Sequence, residues 1–86
     1  MYKFIRGELQ MARLLTKEDR LAIGDNLTHF RRIRGYRQEE VAHLMNVTRE
    51  CVTMWEKGVR TPDVISLARL CRILKVTIYD VIDNLI

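Results

Sequence analysis

Gln38 to Gly58 read QEEVAHLMNVTRECVTMWEKG, two short amphipathic runs on either side of an Asn46-Val47-Thr48 corner. Val41, Ala42 and Met45 recur at the spacing that lines one face of a helix, and Val52 with Trp55 does the same for a second helix. The chain must therefore reverse within a few residues, which predicts a helix-turn-helix. Ala42 is small where two helices cross closely. Asn46 stands where the first helix ends, and asparagine is the residue after glycine that best tolerates a left-handed backbone. Thr48 offers a hydroxyl as N-cap of the second helix. Trp55 shares the inner face with Val52 and is expected in the core rather than as a stacking platform.

Outward from this stretch, further helices are legible. Thr16 with Asp19 makes a capping-box start, and Leu21, Ile23, Leu27, Phe30 and Ile33 supply the apolar positions of a first helix ending near Gly35. After the central pair, Gly58 can take the positive backbone angle of a helix C-terminus. Thr61 as N-cap and Pro62 at the first helical position predict the fourth helix, with Val64 or Ile65, Leu67, Ala68, Leu70, Cys71 and Leu74 on its core face. Thr77 and Asp80 predict the cap of a fifth. The expected fold is all-α with five helices. Residues 1–15 lack clear periodicity and are expected to form an N-terminal arm, leaving 16–86 as the domain.

These residues resemble the phage repressor and Cro (XRE-type) helix-turn-helix family of DNA-binding domains. That family often carries Gln at the start of helix two, Ala near its middle, Gly at the turn, and Ser or Thr capping the recognition helix; here the positions hold Gln38, Ala42, Asn46 and Thr48. The resemblance runs from Ile23 through Asp83, with a Glu56-Lys57-Gly58 exit, a Thr61-Pro62 helix start and a final Val76 to Asp80 segment. Two positions depart from the family pattern. Arg37 occupies the place where Ser or Thr usually caps helix two, and Lys75 stands where Gly usually closes helix four.

The resemblance implies a function and a set of contacts. Base edges would be met by Arg49, Glu50 and Met54, with Thr53 as a further candidate, in a major groove where each base pair shows a distinct donor and acceptor pattern. Arg49 suits guanine O6 and N7, Glu50 a cytosine amino group, Met54 a thymine methyl. Phosphates would be held by Gln38, Thr48, Arg31, Arg34, Arg37, Lys57 and Arg60, with Arg31 also paired to Glu56. Six such contacts give a log-log salt slope of about −5. A small module reads few base pairs, so a homodimer on a two-fold symmetric operator is expected, with Ile82, Leu85 and Ile86 at its seam.

Composition agrees with this class. The 86 residues carry a net charge of +4, and Arg31, Arg32, Arg34 and Arg37 crowd the end of the first helix and the entry to the second. Taken alone those arginines describe an ordinary solvated face; beside a recognition helix they become phosphate clamps. No apolar run approaches the roughly 20 residues of a membrane span. Two cysteines, Cys51 and Cys71, lie on different predicted helices without metal-ligand spacing, which suits reduced thiols in a cytoplasm. The two histidines, His29 and His43, have no nucleophile or carboxylate constellation, and no phosphate-binding glycine loop is present, so neither an enzyme nor a cofactor is expected. The expectation is a bacterial or phage regulator that blocks or assists RNA polymerase at a promoter-proximal operator; phage repressors and restriction-modification controllers are family members this short. The competing expectation is a protein-interaction module, such as an antitoxin-like regulator that binds a partner protein.

Overall fold

The computed structural model describes residues 15–82, which form five helices and no strand. Helix α1 spans Lys17–Ile33. Its start is the capping box expected from the sequence: the Asp19 amide donates to Thr16 Oγ1 at 3.0 Å, and the Thr16 amide donates to Asp19 Oδ2 at 3.1 Å. Gly35, with φ +77°, turns the chain after α1.

Helix α2 spans Gln38–Met45 and α3 spans Arg49–Glu56. With no hydroxyl at position 37, the start of α2 is held from the other direction, by the Arg37 amide donating to Glu40 Oε1 at 2.7 Å. The corner between the helices is built as its residue types require. Asn46 adopts the left-handed conformation at φ 58°, ψ 44°, and Thr48 Oγ1 accepts from the Cys51 amide at 3.2 Å.

Helix α4 spans Val64–Leu74 and α5 spans Ile78–Ile82. The start of α4 corrects the Thr61-Pro62 expectation. Asp63 is the N-cap, its Oδ1 accepting from the Ser66 amide at 2.8 Å, because aspartate outranks threonine as a cap and stands three residues before a free helical N–H. Pro62 is buried ahead of the cap, and Thr61 Oγ1 is buried with no hydrogen-bond partner among the described residues. The core face of α4 is narrower than expected: Leu67, Leu70, Cys71 and Leu74 are buried as one stripe at helical spacing, whereas Val64, Ile65 and Ala68 lie to the side of that stripe or opposite it and are exposed. Lys75 closes α4 at φ 59° despite its Cβ. Thr77 and Asp80 then cap α5 reciprocally, the Thr77 amide donating to Asp80 Oδ2 at 2.8 Å.

The core lies where α3 meets α1 and α2, and where α5 closes over α1 and α4. Ile23, Leu27, Val41, Ala42, Met45, Val52, Trp55, Leu67, Leu70, Leu74 and Val81 fill it. Leu21 and Ile33, expected inward, are largely exposed, and Arg31 takes an interior place instead. One close approach depends on a residue the periodicity leaves unmarked. A Cβ on Gly24 would fall 2.7 Å from the Trp55 carbonyl oxygen, so only glycine lets α1 lie directly against the end of α3. Leu15, assigned to the arm, packs against the core. Among the described residues no helix is long and apolar enough to cross a membrane.

Candidate nucleic-acid interface

Helix α3 is fixed by what it buries. Val52 and Trp55 are 2% and 6% exposed against the core, so helical geometry turns the remaining faces outward. Arg49, Glu50, Thr53, Met54, Lys57 and Val59 line one shallow open concavity. Five of these six were nominated from the sequence; Val59, an exposed residue after the Gly58 turn, was not, and its isolated position in a polar loop carries no periodic signal. Among the described residues, Arg49, Glu50, Lys57 and Arg60 engage no side-chain hydrogen bond or ion pair.

Beneath this surface lies a polar network that joins three helices. Arg31 Nε and Nη2 donate to the two oxygens of Glu56 at 2.6 and 3.0 Å, and Nη1 donates to the Tyr36 carbonyl at 2.9 Å. The two side chains are 11% and 8% exposed, so this is a buried bidentate pair. Gln38 Nε2 donates to Glu56 Oε1 at 2.9 Å, and the Thr53 hydroxyl donates to Gln38 Oε1 at 3.0 Å. Burial alone would raise the Glu56 carboxyl. The hydrogen bonds from Arg31 and Gln38, with the guanidinium charge, outweigh burial and hold it below its ordinary range.

The arginine cluster divides. Arg31 is buried and engaged with Glu56 and Tyr36, the ion pair expected from the sequence, which gives it a positioning duty between α1 and α3. Arg34 reaches to the other end of the fold, where Nε donates to the Leu74 carbonyl at 2.7 Å and Nη2 to that of Lys75 at 3.2 Å. It thereby satisfies carbonyls left open at the C-terminus of α4, where a cation is also favoured by the helix dipole. Arg37 stays solvent-exposed, its Nε 3.7 Å from Glu40 Oε1 across one helical turn. Arg20, absent from the sequence-based set, does for α3 what Arg34 does for α4: its Nε donates to the Gly58 carbonyl at 3.0 Å.

Gln38 is half-buried with its amide spent on Glu56 and Thr53, while Thr48 is exposed and its hydroxyl caps α3. Ile82 is half-buried against the core; Leu85 and Ile86 lie outside the described residues. Cys51 packs partly buried against the core, and burial, with the Asp80 carboxylate nearby, pushes the Cys71 thiol up. Both act as packing groups.

A helix-turn-helix family model matches residues 29–81. Among solved structures, the restriction-modification controller protein C.AhdI from Aeromonas hydrophila superposes with a TM-score of 0.70 at 25% identity, covering 74% of this chain and 97% of that one. The clp gene regulator ClgR from C. glutamicum gives a TM-score of 0.70 at 28% identity, covering 76% and 84% respectively. No curated protein matches by sequence.

Proposed function

We propose, from the premise that the chain belongs to the helix-turn-helix family, that it is a sequence-specific double-stranded-DNA-binding transcription regulator acting as a homodimer on a two-fold symmetric operator. The observation that carries the proposal is the outer face of α3. Arg49, Glu50, Thr53 and Met54 converge there with Lys57 on one open surface, and the charged groups among them have no partner among the described residues. An α-helix presented in this way fits the major groove, where Arg49 is suited to a bidentate bond with guanine.

Phosphate contacts fall to the exposed cations that flank this face, Arg37, Lys57 and Arg60, with Thr48 and the N-terminal end of α2 as neutral donors. Arg31 and Arg34 act indirectly, by holding α3 and α4 in place. A single copy of α3 spans too few base pairs for useful specificity, which is the reason for the dimer; Ile82 with Leu85 and Ile86 is its proposed seam. The kinship of fold with a restriction-modification controller and with a gene regulator supports control of transcription in the cytoplasm, by obstructing or contacting RNA polymerase near a promoter.

Selection of bound sequences from a random duplex pool tests the proposal. The expected product is a two-fold symmetric motif with guanine in each half-site and half-site centres ~10 base pairs apart. Enrichment of no motif, together with retained binding to a protein partner, would favour the interaction-module reading instead.

A further inference from the structure

The polar network beneath α3 does more than hold helices together, because it has a direction. Glu56 is ionised at neutral pH, and a carboxylate only accepts hydrogen bonds. Arg31 already occupies both of its oxygens, and the contact from Gln38 must therefore be made by the amide nitrogen. That fixes the rotation of the Gln38 amide and turns its carbonyl oxygen toward Thr53. The Thr53 hydroxyl responds by donating its single proton to Gln38 Oε1. Thr53 nevertheless lines the concavity on the outer face of α3.

We propose that Thr53 presents the DNA with a hydrogen-bond acceptor and no donor, so that it selects a base carrying an exocyclic amino group, adenine or cytosine, at the edge it faces. This rests on the DNA-reading role of α3 proposed above and names a specificity determinant within it. A free threonine hydroxyl is indifferent, since it rotates to donate or accept as its partner demands. Here the proton is taken by Gln38, and only the oxygen lone pairs remain for a ligand. A guanine O6 or thymine O4 at the same place would meet acceptor against acceptor. Gln38 acts through Thr53 and is a positioning residue, set in turn by Glu56.

The test uses the full chain and the duplex recovered by pool selection. Single groups are deleted from that duplex: amino groups by purine for adenine or 2-pyrimidinone for cytosine, keto oxygens by 2-aminopurine for guanine or 5-methyl-2-pyrimidinone for thymine. Deleting the amino group that Thr53 faces in a single half-site should weaken wild-type binding by about three- to tenfold, the worth of one hydrogen bond. Thr53→Val, nearly isosteric and without the hydroxyl, should be insensitive to that same deletion, whereas Thr53→Ser should respond as the wild type does. Gln38→Met, which releases the hydroxyl proton, should let Thr53 tolerate a keto base at that edge. Sensitivity of the wild type, lost in Thr53→Val, to a keto deletion instead would overturn the proposal. So would selective binding in which no amino deletion couples to position 53, and that result would leave the DNA-binding reading standing. Absence of any sequence-selective duplex binding would overturn both.

Discussion

At the scale of single residues, charge and environment separate the arginines that the sequence groups together. Arg31 and Arg49 differ in burial and partnership. The first is paired to Glu56 in the interior and the second is exposed with no partner among the described residues. Arg49→Ala should therefore lower affinity for the selected operator by about 1–3 kcal/mol and relax selection at one guanine, with unchanged far-UV circular dichroism and melting temperature. Arg31→Met should do the reverse. It strands a buried carboxylate, so chemical denaturation should report a loss of about 3–5 kcal/mol of stability before any question of DNA arises. The same pair sets a pH dependence. The Glu56 carboxyl is depressed in the folded state below its ordinary value of 4.5, so the stabilisation is fully present above that pH and is lost as pH falls through the lower, folded-state value. Glu56→Gln should be less stable at neutral pH, and its denaturation midpoint should decline less steeply on acidification than that of the wild type. A steeper acid decline in the variant would contradict the assignment.

At the scale of elements, legibility followed the reach of local physics. The Asn46 turn, the Thr48 cap and the Thr16–Asp19 and Thr77–Asp80 capping boxes each involve groups within a few residues of one another, and all were readable from residue type and spacing. The start of α4 was misplaced because a Thr-Pro-Asp run contains two possible caps, and the choice between them depends on which amide is left free. Gly24, Arg20 and Arg34 were not readable in their actual roles, since each serves a partner far along the chain: Gly24 the backbone of Trp55 and Glu56, Arg20 the Gly58 carbonyl, Arg34 the end of α4. At the interface, the outward set on α3 was legible from helical periodicity, whereas the linkage of Gln38 to Thr53 and Glu56 required the crossing of α2 and α3 to be known. Two substitutions probe these element-level devices. Gly24→Ala should destabilise the fold by about 1–3 kcal/mol because the added methyl meets backbone that cannot rotate away. Thr48→Ala should cost about 1 kcal/mol of stability through the lost cap, measurable as a lower denaturation midpoint with an unchanged slope.

At the scale of the whole molecule, the described helices leave the outer side of α3 open with the exposed cations Lys57 and Arg60 next to it, while Arg31 is buried against Glu56 and the exposed Arg34 is engaged at the end of α4. In the proposed dimer, Arg37, Lys57 and Arg60 of each protomer amount to roughly six phosphate-neutralising groups, and the expected log-log salt slope is about −5. Lys57→Ala removes one group per protomer and should make that slope shallower by about 2 while leaving the selected motif intact. Away from α3, Tyr36, Glu39, Glu40, His43 and Leu44 line a second open concavity on α2, which serves as the comparison surface for the interaction-module reading. The most direct measurement follows the backbone amide resonances of the isotopically labelled protein while the selected duplex is titrated in. The DNA-reading assignment predicts that the perturbed amides cluster at Arg37 and Gln38, Thr48 to Glu50, Thr53, Met54, Lys57, Val59 and Arg60. Perturbation confined to the Tyr36 to Leu44 surface, with the α3 resonances unmoved, would contradict it.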